Sequence, residues 1–413
     1  MKLFALTEIL LITLISPVAW QQHMATLPKT PTATAPSLSI ACSPSQPSCG
    51  QAFTPWSVTP SPNASTSLNS LEDVAGSSWS DVWAVGYYYD NTGTYQYPLA
   101  EQWNGPQWSL VTTPTLPGNG QGYFSGVAVV SPGDAWAVGR AGTNAGSFQA
   151  VAEHWGGTQW KLVSIPTPDP GGDVVNSVTA LSSTDVWAVG STYPAAQPRT
   201  WHWDGTQWTY VTSPTLTGSG DSAFNDVAGD SATNVWAVGY TSNATSPYLS
   251  TLVEHWDGSL WSVIPSPDYK NSEADNVLQS LAIASPNNIW AVGWYDDYAA
   301  SVQGSVIEHW NGSQWTLFPT PAGEPANTRL DGVAIAGPTD VYAVGGSVNP
   351  DTTSPGAVVE AWDGHSWRVS VVNGLSGSNN VLHSVVAFSP VLAWGVGCTC
   401  QQSLVIRPSL PIL

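Results

Sequence analysis

The sequence predicts an all-β protein: a seven-bladed propeller of four-stranded antiparallel blades. Three observations predict it. A segment of the form "DVWAVG" recurs seven times, ending at Gly86, Gly139, Gly190, Gly239, Gly293, Gly345 and Gly397. The steps between copies are 53, 51, 49, 54, 52 and 52 residues, a period that belongs to stacked or radially arranged units. Finally, residues 55–62 ("PWSVTPSP") match residues 260–267 ("LWSVIPSP") at six of eight positions, although no complete unit precedes the first copy.

Each unit carries four short apolar segments. The first reads "FSGVAVVS" or "LQSLAIAS", and a brief Ser/Pro/Asp turn leads to the second, "DVWAVG". A long polar loop leads to the third, "VEHW" or "VIEHW". An Asp-Gly or Asn-Gly turn, the strongest short hairpin signal, leads to the fourth, as in "QWTLFPTP". Val, Ile, Trp and Tyr suit strands, and no stretch of the repeat has helical periodicity.

Six turns of the form Trp-x-Gly-x-x-Trp lie at 103–108, 155–160, 203–208, 256–261, 310–315 and 362–367. A seventh is missing, because only "SLVIRP" follows Gly397 as a strand candidate. The segment 55–60 is therefore predicted to pair with 403–408 as the outer strand of the last blade. Such closure removes the exposed edges that an open ring would leave.

The "WAVG", "EHW" and "QW" pattern, running over roughly residues 52–408, resembles the kelch-like propellers, the superfamily that includes the central domain of galactose oxidase. It departs from that family in having a double glycine only in "VYAVGGS". Tectonin and Asp-box propellers, with their "DG..W" turns, are similar to a comparable degree. The resemblance implies the architecture; an activity has to be argued from a site.

Composition bounds the partners. With 29 Asp+Glu against 9 Lys+Arg the net charge is −20, which argues against nucleic acid and anionic membrane surfaces. Residues 1–25, with Lys2 before an apolar run, read as a signal peptide, with an uncleaved N-terminal anchor as the alternative. Residues 26–51 read as a Pro/Ser/Thr-rich spacer, 52–408 as the propeller and 409–413 as a tail. The expectation is a secreted or extracytoplasmic monomer, with no membrane contact beyond such an anchor. Cys42, Cys49, Cys398 and Cys400 are an even set at the chain ends, expected in an exported chain to form disulfides. Cys42–Cys49 is the most local pairing, and a cross-link from either to Cys398 or Cys400 would fasten the ring.

Nineteen of the 23 tryptophans occupy repeat columns, so inter-blade packing is their expected role. His154, His202, His255 and His309 precede column tryptophans in separate blades and cannot converge on one ion. The column glutamates Glu101, Glu153, Glu254, Glu308 and Glu360 are expected as paired acceptors. Asp81, Asp134, Asp185, Asp340, Asn234 and Asn288 are expected to bond backbone N–H groups in their tight turn.

The long, dissimilar loops all fall on one face, where function tends to sit. The inner strands begin there with Glu72, Ser125, Asn176, Asn225, Gln279, Asp331 and His383, a polar ring at the channel mouth. Directly after "WAVG" come Tyr87, Arg140, Ser191, Tyr240, Trp294, Gly346 and Cys398. Tyr87, Tyr88, Tyr89, Tyr240, Trp294 and Tyr295, with Glu72, Asp331 and His383, are the candidate ligand-binding residues. Aromatic faces flanked by Asp, Asn and Thr suit sugar stacking or a protein hot spot.

The expected function is non-catalytic binding of a glycan or an extracellular protein, without cofactor or metal. The alternatives are a glycan-active hydrolase or lyase, with Glu72 and Asp331 as paired carboxylates, and a protein–protein scaffold. A galactose-oxidase-like copper site is not assembled, because the cysteines lie only at the chain ends. A sialidase-like site needs three convergent arginines, and the five here share no inner-strand column.

Overall fold

A computed structural model describes residues 55–409, except 144–145, 170, 215–218, 244–245, 247, 271–272, 348–355, 371, 376–379 and 400. The expected signal and spacer segments, Cys42, Cys49 and Cys400 lie outside the described residues.

Seven sheets form the seven blades, six of them with their strands in chain order from the centre outwards. Blade one, for example, runs Asn69–Ser78, Asp81–Tyr89, Gln96–Trp103 and Trp108–Leu110. Blade seven is built from both ends of the chain. Its inner strands are Val381–Ser389, Leu392–Cys398 and Ser403–Pro408, and its fourth is Trp56–Val58. Trp56 pairs with Pro408, Ser57 with Arg407 and Val58 with Ile406, as the early "PWSVTPSP" copy predicts.

One feature was not expected. Val372–Asn373, beyond the outer strand of blade six, pairs in parallel with Trp56 and Ser57, so that this sheet has five strands. In the other six blades the outer strand runs on into proline, as in "IPSP" or "FPTP". Proline offers no backbone donor to a ladder. Blade six has "SVVNG" there instead, and its free N–H groups allow the extra pairing.

The tryptophan columns form the joints. The second-strand indole of each blade meets the outer-strand indole of the next nearly edge-on: Trp83 with Trp160, Trp136 with Trp208, Trp187 with Trp261, Trp236 with Trp315, Trp290 with Trp367 and Trp394 with Trp108. Edge-on geometry sets the positive rim of one ring against the negative face of the other.

Beneath the indoles lies a polar contact whose two sides vary together. At three joints the hydroxyl five residues beyond the outer-strand Trp donates to the column glutamate of the next blade. Ser61 donates to Glu101, Ser213 to Glu254 at 2.9 Å and Ser266 to Glu308 at 2.6 Å. Thr113 and Thr320 hold the equivalent positions before Glu153 and Glu360, but these two glutamates accept no bond from them, so the expected pairing holds at three of the five. Where the next blade has no glutamate, the hydroxyl is missing too: Ile165 precedes Trp201, and Val372 precedes Ile406. Ile165 and Trp201 are buried in one cluster. All five glutamates are fully buried.

The turn residues correct an expectation. Asp134, Asp185, Asn234 and Asn288 do not spend their side chains on backbone N–H groups. They bond the ring Nε2 of His154, His202, His255 and His309 at 2.8–2.9 Å. The reason is register. Each His pairs with the "WAVG" Trp two residues beyond the turn residue, which brings the two polar groups to the same side. Each imidazole also lies against that Trp, with centroids 4.4–4.6 Å apart. The histidine column is a scaffold element in every blade that has it.

Candidate functional site at the channel mouth

Every inner strand carries a β-bulge at the same place. The register shifts between Leu71 and Asp73, Phe124 and Gly126, Val175 and Ser177, Phe224 and Asp226, Leu278 and Ser280, Leu330 and Gly332, and Leu382 and Ser384. The extra residue in each case is the ring residue: Glu72, Ser125, Asn176, Asn225, Gln279, Asp331 or His383. A bulge re-aims a side chain away from the ladder, and bulges gather beside functional sites. The same bulge explains the last letter of "WAVG". A Cβ on any of the seven glycines would lie 1.9–2.1 Å from a backbone carbonyl oxygen of the inner strand.

The ring divides into two arcs. In blades two to four the ring side chains tie neighbouring blades together. Ser125 Oγ donates to Val175 O at 2.6 Å, Asn176 Nδ2 to Phe224 O at 2.7 Å and Asn225 Nδ2 to Leu278 O at 2.8 Å. In blades six, seven and one the ring is charged. His383 lies between two carboxylates, its Nε2 4.0 Å from Glu72 Oε1 and its Nδ1 3.9 Å from Asp331 Oδ2. All three side chains keep partial access to solvent. Ser70 Oγ donates to Glu72 Oε1 at 2.6 Å. Cys398 Sγ stands 3.8 Å from His383 Nε2.

The electrostatics favour an imidazolium. Burial alone would lower the His383 pKa, yet Glu72, Cys398 and Asp331 together lift it to about 10. Burial raises Asp331 to about 6 against the opposing pull of His383 and Arg329. The arc thus offers a positive ring flanked by two carboxylate acceptors that stand just beyond hydrogen-bond distance from it. One step deeper, Asp73 Oδ2 accepts from Val127 N at 2.8 Å and its Oδ1 from Ser384 Oγ at 2.6 Å. Asp226 accepts from Ser177 Oγ at 2.6 Å and Ser280 Oγ at 2.9 Å. These two carboxylates strap blades seven-one-two and three-four-five, and form the floor under the mouth.

The aromatic candidates are placed unevenly. Tyr87, Tyr240 and Trp294 are buried. Trp294 lies under the guanidinium of Arg329, 4.1 Å from the ring centroid. Tyr295 stacks on Tyr269 with centroids 3.8 Å apart. Tyr88 lies 5.7 Å from Tyr97, centroid to centroid, and packs against the core cluster of blades one and seven. Tyr89 is half-buried and meets Tyr87 edge-on at 5.9 Å. The structure thus brings Glu72, Asp331 and His383 into one cluster with Tyr87 on its flank, while Tyr240, Trp294 and Tyr295 sit in blades four and five. Sequence reasoning assigned Cys398 to a disulfide and missed its place beside His383. The signal was available: Cys398 ends a "WAVG"-type strand, in the column that also holds Tyr87.

Fold and site together define a closed seven-bladed propeller with a half-charged mouth. No family model matches this chain, and no curated protein matches it either. Solved structures do. A YCF48 structure with a bound D1 peptide is similar at a TM-score of 0.55 and 14% identity, over 87% of this chain and 98% of that one. A GH74 xyloglucanase from Xanthomonas campestris gives 0.56 and 12%, covering 86% of this chain and 53% of that one, so this chain spans about half the enzyme. A PL25 ulvan lyase gives 0.53 and 11%, over 86% and 94% of the two chains. At these identities the likeness is one of fold. The neighbours thus include glycan-active enzymes and a peptide-binding propeller.

Proposed function

We propose that this is an exported, non-catalytic propeller that binds a glycan through its long-loop face, acting as a monomer without cofactor. The observation that carries the reading is the split ring. Seven equivalent bulges aim seven side chains at the mouth, and three of them are consumed in ties between blades. His383 instead stands 4.0 Å from Glu72 and 3.9 Å from Asp331, and all three side chains keep partial access to solvent. Carboxylate acceptors beside a cationic donor suit sugar hydroxyls, and tyrosine faces lie beside them. Glycan-active propellers among the structural neighbours support the same class of ligand. The test is a glycan array probed with the secreted protein, followed by Glu72→Gln and His383→Gln. Both substitutions should weaken binding to the identified glycan at least tenfold while the melting temperature stays within a few degrees. An array without any hit sinks the reading.

One observation favours a second reading, a glycan-active enzyme. A histidine between two carboxylates is a proton-transfer arrangement as well as a binding one. New reducing ends or unsaturated sugar products on incubation with polysaccharides, lost in His383→Gln, would establish it.

A further inference from the structure

Arg140 follows the "WAVG" glycine of blade two, in the register position that Tyr87 holds in blade one. Its guanidinium lies over the ring of Phe148, 4.1 Å from the centroid, and over that of Tyr123 at 4.7 Å. The residue is nine-tenths buried, at 9% exposure. Its Nη1 is closed off from solvent and has no hydrogen-bond partner among the described residues. None of the ion pairs among those residues includes it.

Three of the other four arginines have a carboxylate partner, in a chain where acidic residues outnumber basic ones 29 to 9, and the fourth, Arg407, is only partly buried. Arg199 pairs with Asp169 and Asp173, Arg329 with Asp296, and Arg368 with Asp363. Aromatic faces attract a guanidinium, but they do not replace the hydrogen-bond acceptors that its buried N–H groups lose on leaving water.

A second donor in the same place is also without a partner. Tyr87 is 3% exposed, and its hydroxyl is buried and unbonded among the described residues. Its ring meets that of Tyr123 at 5.9 Å, and Tyr123 is also one of the two rings against Arg140, so both donors border the same side chain. Burial, with Glu72 and Cys398 nearby, raises the Tyr87 pKa well above 10, and the hydroxyl keeps its proton.

We propose that Arg140 and Tyr87 form a carboxylate subsite, which takes a uronic acid unit of an otherwise neutral glycan. The planar fork of an arginine matches a carboxylate with two parallel bonds, and a tyrosine hydroxyl supplies a further donor. The half-buried Tyr89 and Tyr123 offer ring faces beside it for the sugar. The field of the molecule sets the charge of the ligand. A net charge of −20, with Glu72 and Asp331 at the adjacent mouth, opposes a polyanion but admits one carboxylate neutralised at Arg140. This inference rests on the glycan-binding reading and names its ligand class.

The experiment uses matched probes on the full secreted chain. A glucuronate-bearing xylo-oligosaccharide, its carboxyl-reduced counterpart and a sulfated neutral oligosaccharide are titrated calorimetrically. The acid should bind at least tenfold more tightly than its reduced counterpart and more tightly than the sulfate ester. Arg140→Met, which keeps the apolar contact with Phe148, should remove that preference with little change in melting temperature. Tyr87→Phe should narrow it. Should the methionine variant not fold, Arg140→Lys keeps the charge without the fork and must still lose most of the preference. Equal binding of acid and reduced sugar, a preference for the sulfate ester, or an undiminished preference in the Arg140 variants overturns the subsite and leaves glycan binding standing. Binding of none of the sugars removes both.

Discussion

Trp56 meets Tyr342 edge-on, with ring centroids 5.2 Å apart and planes at 89°. The other six joints make this contact with two tryptophans. They also set the second-strand Trp against the Trp before the hairpin turn, as Trp83 does against Trp155 at 4.8 Å. Blade seven has Pro408 opposite Trp56 in place of that second indole. The residue facing it is accordingly smaller, and the Tyr342 hydroxyl donates to Pro390 O at 2.6 Å. The closing joint has the same design as the others, adjusted for one missing ring.

Closure by the strand at Trp56 should therefore carry much of the ring's stability. Trp56→Ala is expected to cost about 3–5 kcal/mol, as for a buried aromatic, and deletion of the first 60 residues more. Tyr342→Phe should cost about 1–3 kcal/mol by leaving the Pro390 carbonyl without its donor. Thermal and chemical denaturation read these effects. A truncated protein that melts like the parent would show that the strand is dispensable.

The hydroxyl–glutamate joints predict coupling between blades. Ser213→Ala leaves buried Glu254 without its donor, at a cost of about 1–3 kcal/mol. Trp201→Glu should destabilise blade three more than the pair Trp201→Glu with Ile165→Ser, because the serine restores a donor. A double-mutant cycle at these two positions that closes to zero would refute the joint.

Stability should fall as pH rises from about 5 to 8.5. Burial raises Glu101 and Glu254 to about 7 and Glu153 and Glu308 to about 8, and burial together with the nearby Glu324 holds Glu360 well above the ordinary glutamate value. An unfolded glutamate titrates near 4.3. Between those values the folded chain holds more protons than the unfolded one, so each rise in pH favours unfolding. Asp73 and Asp331, at about 6, act in the same direction. His383 contributes stability that is complete below about 6.5 and is lost as pH passes about 10. Glu308→Gln should flatten the slope of melting temperature against pH and raise stability at pH 8. A melting temperature constant over this range would contradict the assignment.

The loop aromatics should separate into two groups. Trp294→Ala removes the face under Arg329, and Tyr295→Ala the ring stacked on Tyr269. Both are expected to lower the melting temperature by several degrees. Tyr89→Ala should leave stability nearly unchanged and weaken ligand binding. Parallel melting and binding measurements distinguish the groups, and the reverse pattern would move the ligand surface to blade five.

The ring was legible because its joints repeat. Seven copies of a Trp-Ala-Val-Gly strand, a displaced "PWSVTPSP" and six hairpin turns fix blade number and closure without any tertiary knowledge. The ring residues of the mouth were legible as well, since the inner-strand pattern places them in one column. What periodicity cannot convey is which equivalent residues find partners. Asn176 and Glu72 hold the same bulge position, yet one reaches a carbonyl of the next blade and the other faces a histidine. Trp294 looked free because no column requires it, and only the fold brings Arg329 over its face. The hydroxyl–glutamate pairing, in contrast, was present in the letters as a correlated change between blades, and was overlooked because the two positions belong to successive units.

The pairing of Trp56 with Pro408 also sets an order of events during synthesis. A strand made among the first residues waits for a partner some 350 positions later. Six blades can assemble while the ribosome is still adding the seventh, but their ring stays open on both sides until the last strand emerges. Contacts so distant along the chain slow folding and leave edges exposed to other chains.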